Sequence, residues 1–176
     1  MNPMKDWESI QPVYEKAVLP PGGYILKLCS AKEIRYEDQQ GPYSKLEFCF
    51  DIDQGNYAGF YEKDYQGQIQ MPKKWHGVLR QVLPQEDGSD QDIWRKSRLK
   101  SLIQAIEESN GDYVWDWDES SLKEKIVGGL FRREEWESNG RNGWTTRCFR
   151  FVPASVIAAG GFLVPKDRPL RRIQGK

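Results

Sequence analysis

The stretch SKLEFCFDID, residues 44–53, has the most regular pattern in the chain. Its apolar side chains Leu46, Phe48, Phe50 and Ile52 occupy every second position, and mostly polar residues fill the positions between them. A period of two residues is typical of a strand that buries one face and leaves the other accessible, as in an antiparallel sheet. The segment therefore predicts a half-buried strand whose apolar face belongs to the core.

Further strands are predicted on both sides of this segment. Upstream, residues 24–34 (YILKLCSAKEI) alternate until Ser30 interrupts the pattern. Downstream, residues 57–65 (YAGFYEKDY) follow a short turn and are interpreted as the hairpin partner of the first segment. Residues 126–136 and 144–152 flank two Asn-Gly pairs, which favour a tight hairpin turn. The pattern predicts three strands in the first half of the chain and two in the second.

Between the third and fourth predicted strands the apolar spacing becomes helical. In residues 73–83 and 98–109, apolar side chains recur at intervals of three, four and seven, which places them on one helix face. Asn110 and the glycine after it are typical of a helix C-terminus. We therefore predict a helical insertion over residues 66–125. A further short helix is predicted to begin after Pro153.

The ends of the chain differ in composition from its middle. Residues 1–21 are mainly polar and end in two prolines, so we interpret them as an N-terminal arm with a short helix near residues 7–13. Residues 22–165 hold the predicted strands and form the domain. Residues 166–176 carry five basic residues against one acidic residue and are predicted to be a flexible basic tail.

The overall charge limits the classes of partner. The 176 residues include 26 Lys and Arg and 26 Asp and Glu, so the formal net charge is zero. This balance argues against a basic coat for duplex DNA or an anionic membrane as a property of the whole protein. Seven Trp, eight Tyr and seven Phe argue against disorder, and make base stacking a possible mode of binding.

The cysteines and the N-terminus suggest a location. Cys29, Cys49 and Cys148 are widely spaced, form no metal-binding pair and lie in strand-like segments, so we expect small buried hydrophobes in a reducing compartment. The first residues lack the apolar run of a signal peptide, and no apolar stretch is long enough to span a membrane. The expected location is the cytoplasm of a bacterial host.

Residues for catalysis are sparse. His76 is the single histidine, so a Ser/His/Asp triad or a histidine-rich metal site has little to draw on. No phosphate-binding glycine motif is present. Asp116 and Asp118 would serve a two-metal nuclease only if they converged in space, and a solvated acidic loop whose tryptophans pack on the body explains them better. We expect no catalytic activity, no cofactor and no metal.

The order of the predicted elements points to a fold. Three strands, a helical segment and two strands follow one another as in the OB-fold, a five-stranded Greek-key barrel with a helix between its third and fourth strands. The interruption at Ser30 and the glycines of the fourth strand suit strands that bend at barrel corners. An unrelated α+β sandwich with the same number of strands remains the alternative.

A series of short stretches carries a family resemblance. In order along the chain they are PGGY (21–24), KW (74–75), RQ (80–81), IQAIEESN (103–110), WDWD (115–118), LK (122–123), VGG (127–129), REE (133–135), CF (148–149), Val156 and FLVP (162–165). The chain resembles, from Gly22 to about Pro165, a family of bacteriophage and prophage proteins encoded among replication and recombination genes. The resemblance implies an OB-fold that binds single-stranded DNA, with phage replication or recombination proteins as further partners. The basic C-terminus differs from the acidic tail with which well-known bacterial single-strand binders recruit partners.

Single-stranded DNA requires aromatic faces for its unpaired bases and cations for its phosphates. In an OB-fold these groups lie on strands 2 and 3 and on the loops joining strands 1–2 and 4–5. The candidates are Arg35, Tyr36 and Tyr43 in the first loop, Lys45, Tyr61 and Lys63 on the strands, and Arg132, Arg133, Trp136, Arg141, Trp144, Arg147 and Arg150 in the second hairpin.

Each group also has a purely structural interpretation. The tyrosines of the first loop would cover the end of the barrel, and the second hairpin would hold cross-strand Arg–Glu pairs. The strand register beside Lys45 is open, since a slip of one residue exchanges Tyr61 for Phe60 on that face. An alternative function, a protein-interaction module of a phage replication or recombination complex, is suggested by residues 107–125, where seven acidic residues and two lysines surround Trp115 and Trp117.

Overall fold

The computed structural model describes residues 1–13 and 15–172. Over these residues the chain forms five strands and three α-helices. The elements are β1 (Gly22–Asp38), β2 (Gly41–Ile52), α1 (Phe60–Gly67), β3 (Val78–Val82), α2 (Asp90–Ser109), β4 (Ile126–Ser138), β5 (Arg141–Val152) and α3 (Ala154–Ala158). Two short 3-10 helices, Trp7–Ser9 and Glu119–Leu122, complete the described secondary structure, and the first lies where a short helix is predicted in the arm.

The strands form one antiparallel sheet, so the prediction of a mainly β protein is confirmed. The strand order is β3-β2-β1-β4-β5. A β-bulge between Leu28 and Ser30 coincides with the interruption of the sequence pattern. Because β4 pairs with β1 only from Gly22 to Lys27, the β1–β2 and β4–β5 hairpins project from opposite ends of the sheet.

One face of the sheet supplies the core. Leu46, Phe48, Phe50 and Ile52 are all buried, as the two-residue period predicts. The ring of Phe50 meets three other aromatic rings edge-on, with centroid distances of 5.7 to 6.2 Å. The helix α2 packs against this sheet through the buried residues Leu99, Leu102, Ile103, Ala105 and Ile106.

The helix predicted over residues 98–109 is confirmed as the second half of α2, which begins earlier, at Asp90. The Ser89 side chain accepts a hydrogen bond from the Asp92 backbone N–H and caps the N-terminus. At the other end, the Asn110 side chain bonds both the N–H and the C=O of Ile126. The C-terminus of α2 is thereby tied to the first residue of β4. Within the described residues, no helix has the length and apolar character needed to cross a membrane.

The strand predicted over residues 57–65 is wrong, because this segment contains α1. Both carboxylate oxygens of Asp51 accept hydrogen bonds at the helix N-terminus, from the backbone N–H groups of Tyr61 and Glu62 at 2.9 and 3.1 Å. The capping group thus comes from β2, ten residues upstream. Such a tertiary cap satisfies helix donors that the local sequence leaves open.

The helix predicted over residues 73–83 is also wrong, because β3 occupies residues 78–82 and pairs with β2. The stretch with helical apolar spacing is short, and its backbone N–H and C=O groups form hydrogen bonds with β2 rather than within a helix. Gly77 continues this pairing by accepting a hydrogen bond from Phe50 N–H at 2.8 Å. A Cβ at Gly77 would lie 2.2 Å from the Phe50 carbonyl oxygen, so the approach requires glycine. The predicted helical insertion over 66–125 therefore contains a strand.

The three cysteines have different environments. Cys148 is buried, Cys49 is half-buried and Cys29 is exposed, so the expectation of burial is wrong for Cys29. Cys29 falls in the bulge of β1, where the regular alternation of inward and outward side chains breaks. Burial raises the pKa of the Cys148 thiol to about 12.

We expect an aromatic disulfide reagent to label the exposed Cys29 before the buried Cys148 in the native protein, although partial burial and nearby carboxylates also raise the pKa of Cys29. The reagent reacts with thiolates, and Cys148 is both inaccessible and protonated at neutral pH. Peptide mapping by mass spectrometry after timed labelling would measure this order, with urea-unfolded protein as the fully labelled control. Equal labelling rates for the two native thiols would contradict the packing of β5.

Candidate nucleic-acid interface

The register of the β4–β5 hairpin assigns its side chains to two faces. Phe131 pairs with Cys148, and both are buried in the core. The next pair, Arg132 and Arg147, therefore lies on the outer face of the hairpin. Trp136 follows on this outer face, with its ring over Gly143, where a Cβ would lie 2.9 Å from the indole.

The outer face also holds residues at the base of the hairpin and beside it. Arg150 neighbours the inward-facing Phe151 and is exposed. A bulge at Leu130/Phe131 frees Phe149 from regular pairing, and the Arg132 guanidinium carbon lies 4.4 Å from the centroid of its ring. We define the outer hairpin face as Arg132, Trp136, Arg147, Phe149, Arg150 and Arg168.

The charge of this surface is strongly positive. Glu134 is its acidic neighbour, with its carboxylate 3.3 Å from Arg132 and 3.8 Å from Arg168. Among the described residues, no carboxylate oxygen lies within 4.0 Å of the Arg147 or Arg150 guanidinium. Arg147 and Arg150 are therefore available to bind phosphate groups. They share this face with the Phe149 ring, which already stacks on the Arg132 guanidinium.

The opposite face of the hairpin is occupied by the C-terminal segment. Arg133 lies 5.5 Å from the Trp144 ring centroid and forms an ion pair with Asp167. This hydrogen-bonded pair holds the pKa of Asp167 below its usual range. In addition, Arg172 bonds Glu135 at 2.8 Å. These contacts engage Arg133 with protein groups, so it is a poorer candidate for phosphate binding than Arg147.

Backbone pairing holds the same segment in place. The Arg168 N–H donates to Arg133 C=O at 2.8 Å, and the Glu135 N–H donates to Arg168 C=O at 2.9 Å. Residues 166–172 are the described part of the predicted flexible tail. They thus run along the edge of β4 beyond Phe131, where the pairing of β4 with β1 ends. Residues 173–176 lie outside the described residues.

A second aromatic cluster lies on the β1–β2 hairpin. Tyr36 and Tyr43 are directly opposite each other, with parallel-stacked rings whose centroids are 5.4 Å apart. The Lys45 ammonium lies 5.0 Å from the first ring centroid and 5.7 Å from the second. Since Leu46 points to the core, Lys45 and Tyr43 face outward. Three of the predicted site residues are therefore brought together here.

The structure separates the other candidates from these clusters. Arg35 is exposed on the face of β1 opposite Tyr36, Lys63 is exposed on α1, and Arg141 is exposed where β5 begins at the hairpin turn. The prediction for Tyr61 is wrong, because Tyr61 is buried on α1 with its ring 5.7 Å from that of Phe50. It cannot stack on a base, and burial raises the pKa of its phenol.

The register beside Lys45 is now determined, and it adds residues that sequence reasoning missed. Lys45 pairs with Val82 of β3, and Glu47 pairs with Arg80, whose Nε lies 2.5 Å from that carboxylate. Arg80 is thus engaged by a protein group, like Arg133, and contributes to the surface beside Lys45 rather than offering a free cation. Arg80 was missed because its segment is predicted to be helical. Arg168 was missed because its pairing with β4 joins residues far apart in sequence, although its basic surroundings were a signal.

The residues considered for catalysis have structural partners. His76 Nδ1 lies 2.7 Å from the Asp64 carboxylate, which also lies 3.6 Å from Lys16. Asp116 accepts hydrogen bonds from Asp118 N–H and from a serine hydroxyl within its own loop. In the part of the chain that the structure describes, no group of three or more His, Cys, Asp and Glu residues could hold a metal ion.

Two basic, aromatic clusters thus lie on outward faces of the two hairpins. No protein-family model matches the chain, and no curated protein matches it either. The resemblance to phage proteins therefore stays an expectation from the sequence, and the chemistry of the two clusters supplies the argument for function.

Proposed function

We propose that this protein binds single-stranded DNA, as a phage-type protein of DNA replication or recombination. The observation that carries the proposal is the outer hairpin face, where four arginines and two aromatic rings surround one carboxylate. The cluster of Tyr36, Tyr43 and Lys45 provides the second contact surface. We further propose that it acts in the bacterial cytoplasm, as its cysteines suggest, and together with phage replication or recombination proteins, as the resemblance implies.

The chemistry of the outer hairpin face suits unpaired bases. A base can stack on the Trp136 ring, or on the Arg132 guanidinium that covers the Phe149 ring, and an aromatic stack contributes about 1–3 kcal/mol. Arg147 and Arg150 neutralise neighbouring phosphates and release their counterions. Duplex DNA hides the faces of its bases, and the chain as a whole has zero net charge. Both facts favour the single strand over the duplex.

The finer fold assignment is part of the same proposal. We propose that the sheet curls into an OB-type barrel, with β3 and β5 meeting at its seam. In the order β3-β2-β1-β4-β5 these are the edge strands, and Cα atoms of the two approach within 8 Å. In OB-folds the binding surface lies between the 1–2 and 4–5 hairpins. The two clusters described above occupy those hairpins.

The test is a titration of the full-length protein with poly(dT) at low salt, followed by intrinsic tryptophan fluorescence. We expect quenching, with an association constant whose logarithm falls linearly with the logarithm of salt concentration, by about 0.7 for each phosphate contact. Parallel titrations with duplex DNA and with RNA of the same length define the preference. Absence of quenching together with absence of a gel shift at low salt would refute the proposal.

A further inference from the structure

A loop between α2 and the 3-10 helix Glu119–Leu122 exposes large apolar side chains. Trp117 is 77% exposed and Val114 is 75% exposed. Trp115 is half-buried, and its ring centroid lies 4.6 Å from that of Trp117. We call residues 112–119 the acidic tryptophan loop. Isolated exposed apolar residues are common, but a paired-indole surface next to an exposed valine is a recognisable docking surface.

Hydrogen bonds to the two flanking helices hold the acidic tryptophan loop. The Trp115 backbone N–H donates to the Glu107 carboxylate of α2 at 2.9 Å, and the Ser121 hydroxyl of the 3-10 helix donates to Asp116 at 3.0 Å. Trp117 itself has a φ of 69°, a left-handed conformation that is costly for a bulky residue. These hydrogen bonds constrain the backbone that carries the two indoles, which lowers the backbone entropy lost when a partner binds.

The charges around the two indoles select the partner. Asp112, Asp116, Asp118 and Glu119 lie in this loop, and among the described residues no Lys or Arg nitrogen comes within 4.0 Å of their carboxylates. The Lys125 ammonium lies 4.4 Å from the centroid of the Tyr113 ring in this loop, yet the four carboxylates outnumber it. A net negative surface repels nucleic-acid phosphates. It attracts lysine and arginine side chains, whose cations also bind to the face of an indole.

We propose that the acidic tryptophan loop docks a segment of a partner protein that carries lysine or arginine beside an apolar residue. The cation would lie over the Trp117 ring between the carboxylates, and the apolar side chain would contact Val114. The loop shares no residue with the outer hairpin face. This inference is therefore independent of single-stranded DNA binding, and one chain is able to hold DNA and a partner together.

The experiment selects peptides that bind the native full-length protein from a displayed random library. Peptides that also bind the Trp117→Ala variant are removed in a counter-selection. We expect the surviving peptides to be enriched in lysine or arginine next to aliphatic or aromatic residues. For the best synthetic peptide, Trp117→Ala should weaken binding about tenfold, as for a central aromatic contact. The double variant Asp112→Asn/Glu119→Gln should weaken it and reduce its salt dependence.

Matched controls separate docking from general damage. Trp94→Ala removes an indole that is 60% exposed on α2, and it should leave peptide binding unchanged. Failure to enrich peptides on the native protein over Trp117→Ala, or enrichment of acidic peptides, would overturn the proposal. So would a loss of poly(dT) affinity in Trp117→Ala, which would assign the loop to the DNA, or self-association that Trp117→Ala abolishes, which would make the occupant a second copy.

Discussion

Replacing Arg147 and Arg150 together by alanine should lower the affinity for poly(dT) by about tenfold to a hundredfold at low salt, through the loss of two phosphate contacts. Both guanidinium groups lie on the outer hairpin face and are free of carboxylate partners among the described residues. The slope of the salt dependence should become shallower by about 0.7 for each arginine removed. Fluorescence titration at several salt concentrations measures both quantities.

The control for this variant is Lys5→Ala/Lys100→Ala, which removes the same charge from exposed positions in the N-terminal arm and on α2. Its affinity and salt slope should stay close to those of the native protein. If both double variants weaken binding equally, the effect is one of net charge, and the outer hairpin face is not the binding surface. Unfolding midpoints of the two variants should match that of the native protein, since all four side chains are exposed.

The largest effect on stability is expected for Phe131→Ala. The Phe131 ring is completely buried, with centroid distances of 5.2 Å to Tyr24 and 6.0 Å to Phe50. Its removal leaves a cavity where β1, β2 and β4 meet, so the free energy of unfolding should fall by about 3–5 kcal/mol. Urea denaturation followed by circular dichroism measures the change.

A second phenylalanine of the same hairpin provides the comparison. Phe149 is half-buried at the surface, so Phe149→Ala should cost clearly less stability than Phe131→Ala. Both variants replace a phenylalanine by alanine, but the two residues lie on opposite faces of the hairpin. Equal losses would show that Phe131 does not anchor the core as its contacts indicate.

Elements with a strong local period were predictable from the sequence. Residues 44–53 alternate along their length, and Leu46, Phe48, Phe50 and Ile52 in β2 are buried as predicted. Residues 144–152 lie in β5, the predicted return strand. The segment 98–109 repeats apolar residues at helical intervals and lies in α2. In these segments, the local backbone preference and the burial of one face favour the same conformation.

The local pattern could not predict that the segment 57–65, expected to be a strand, contains the helix α1, or that the segment 73–83, expected to be a helix, contains the strand β3. Residues 57–65 lack a helix cap of their own, and Asp51 supplies it from another element. Residues 78–82 gain their backbone partners from β2. In both cases the deciding hydrogen bonds join residues that are distant in sequence, so tertiary contacts override the local pattern.

For the candidate site, the sequence by itself determined which residue types are present, namely arginines and aromatic rings, and it marked the turn of the second hairpin by its Asn-Gly pairs. Only the tertiary structure decided which of them share a surface. The burial of Phe131 turns Arg132 and Arg147 outward, and the same alternation places Arg133 on the other face, where it pairs with Asp167. The reason is that the alternation of side chains along a strand does not say which face of the hairpin points inward. Packing against the core, and against a distant segment of the chain, decides it.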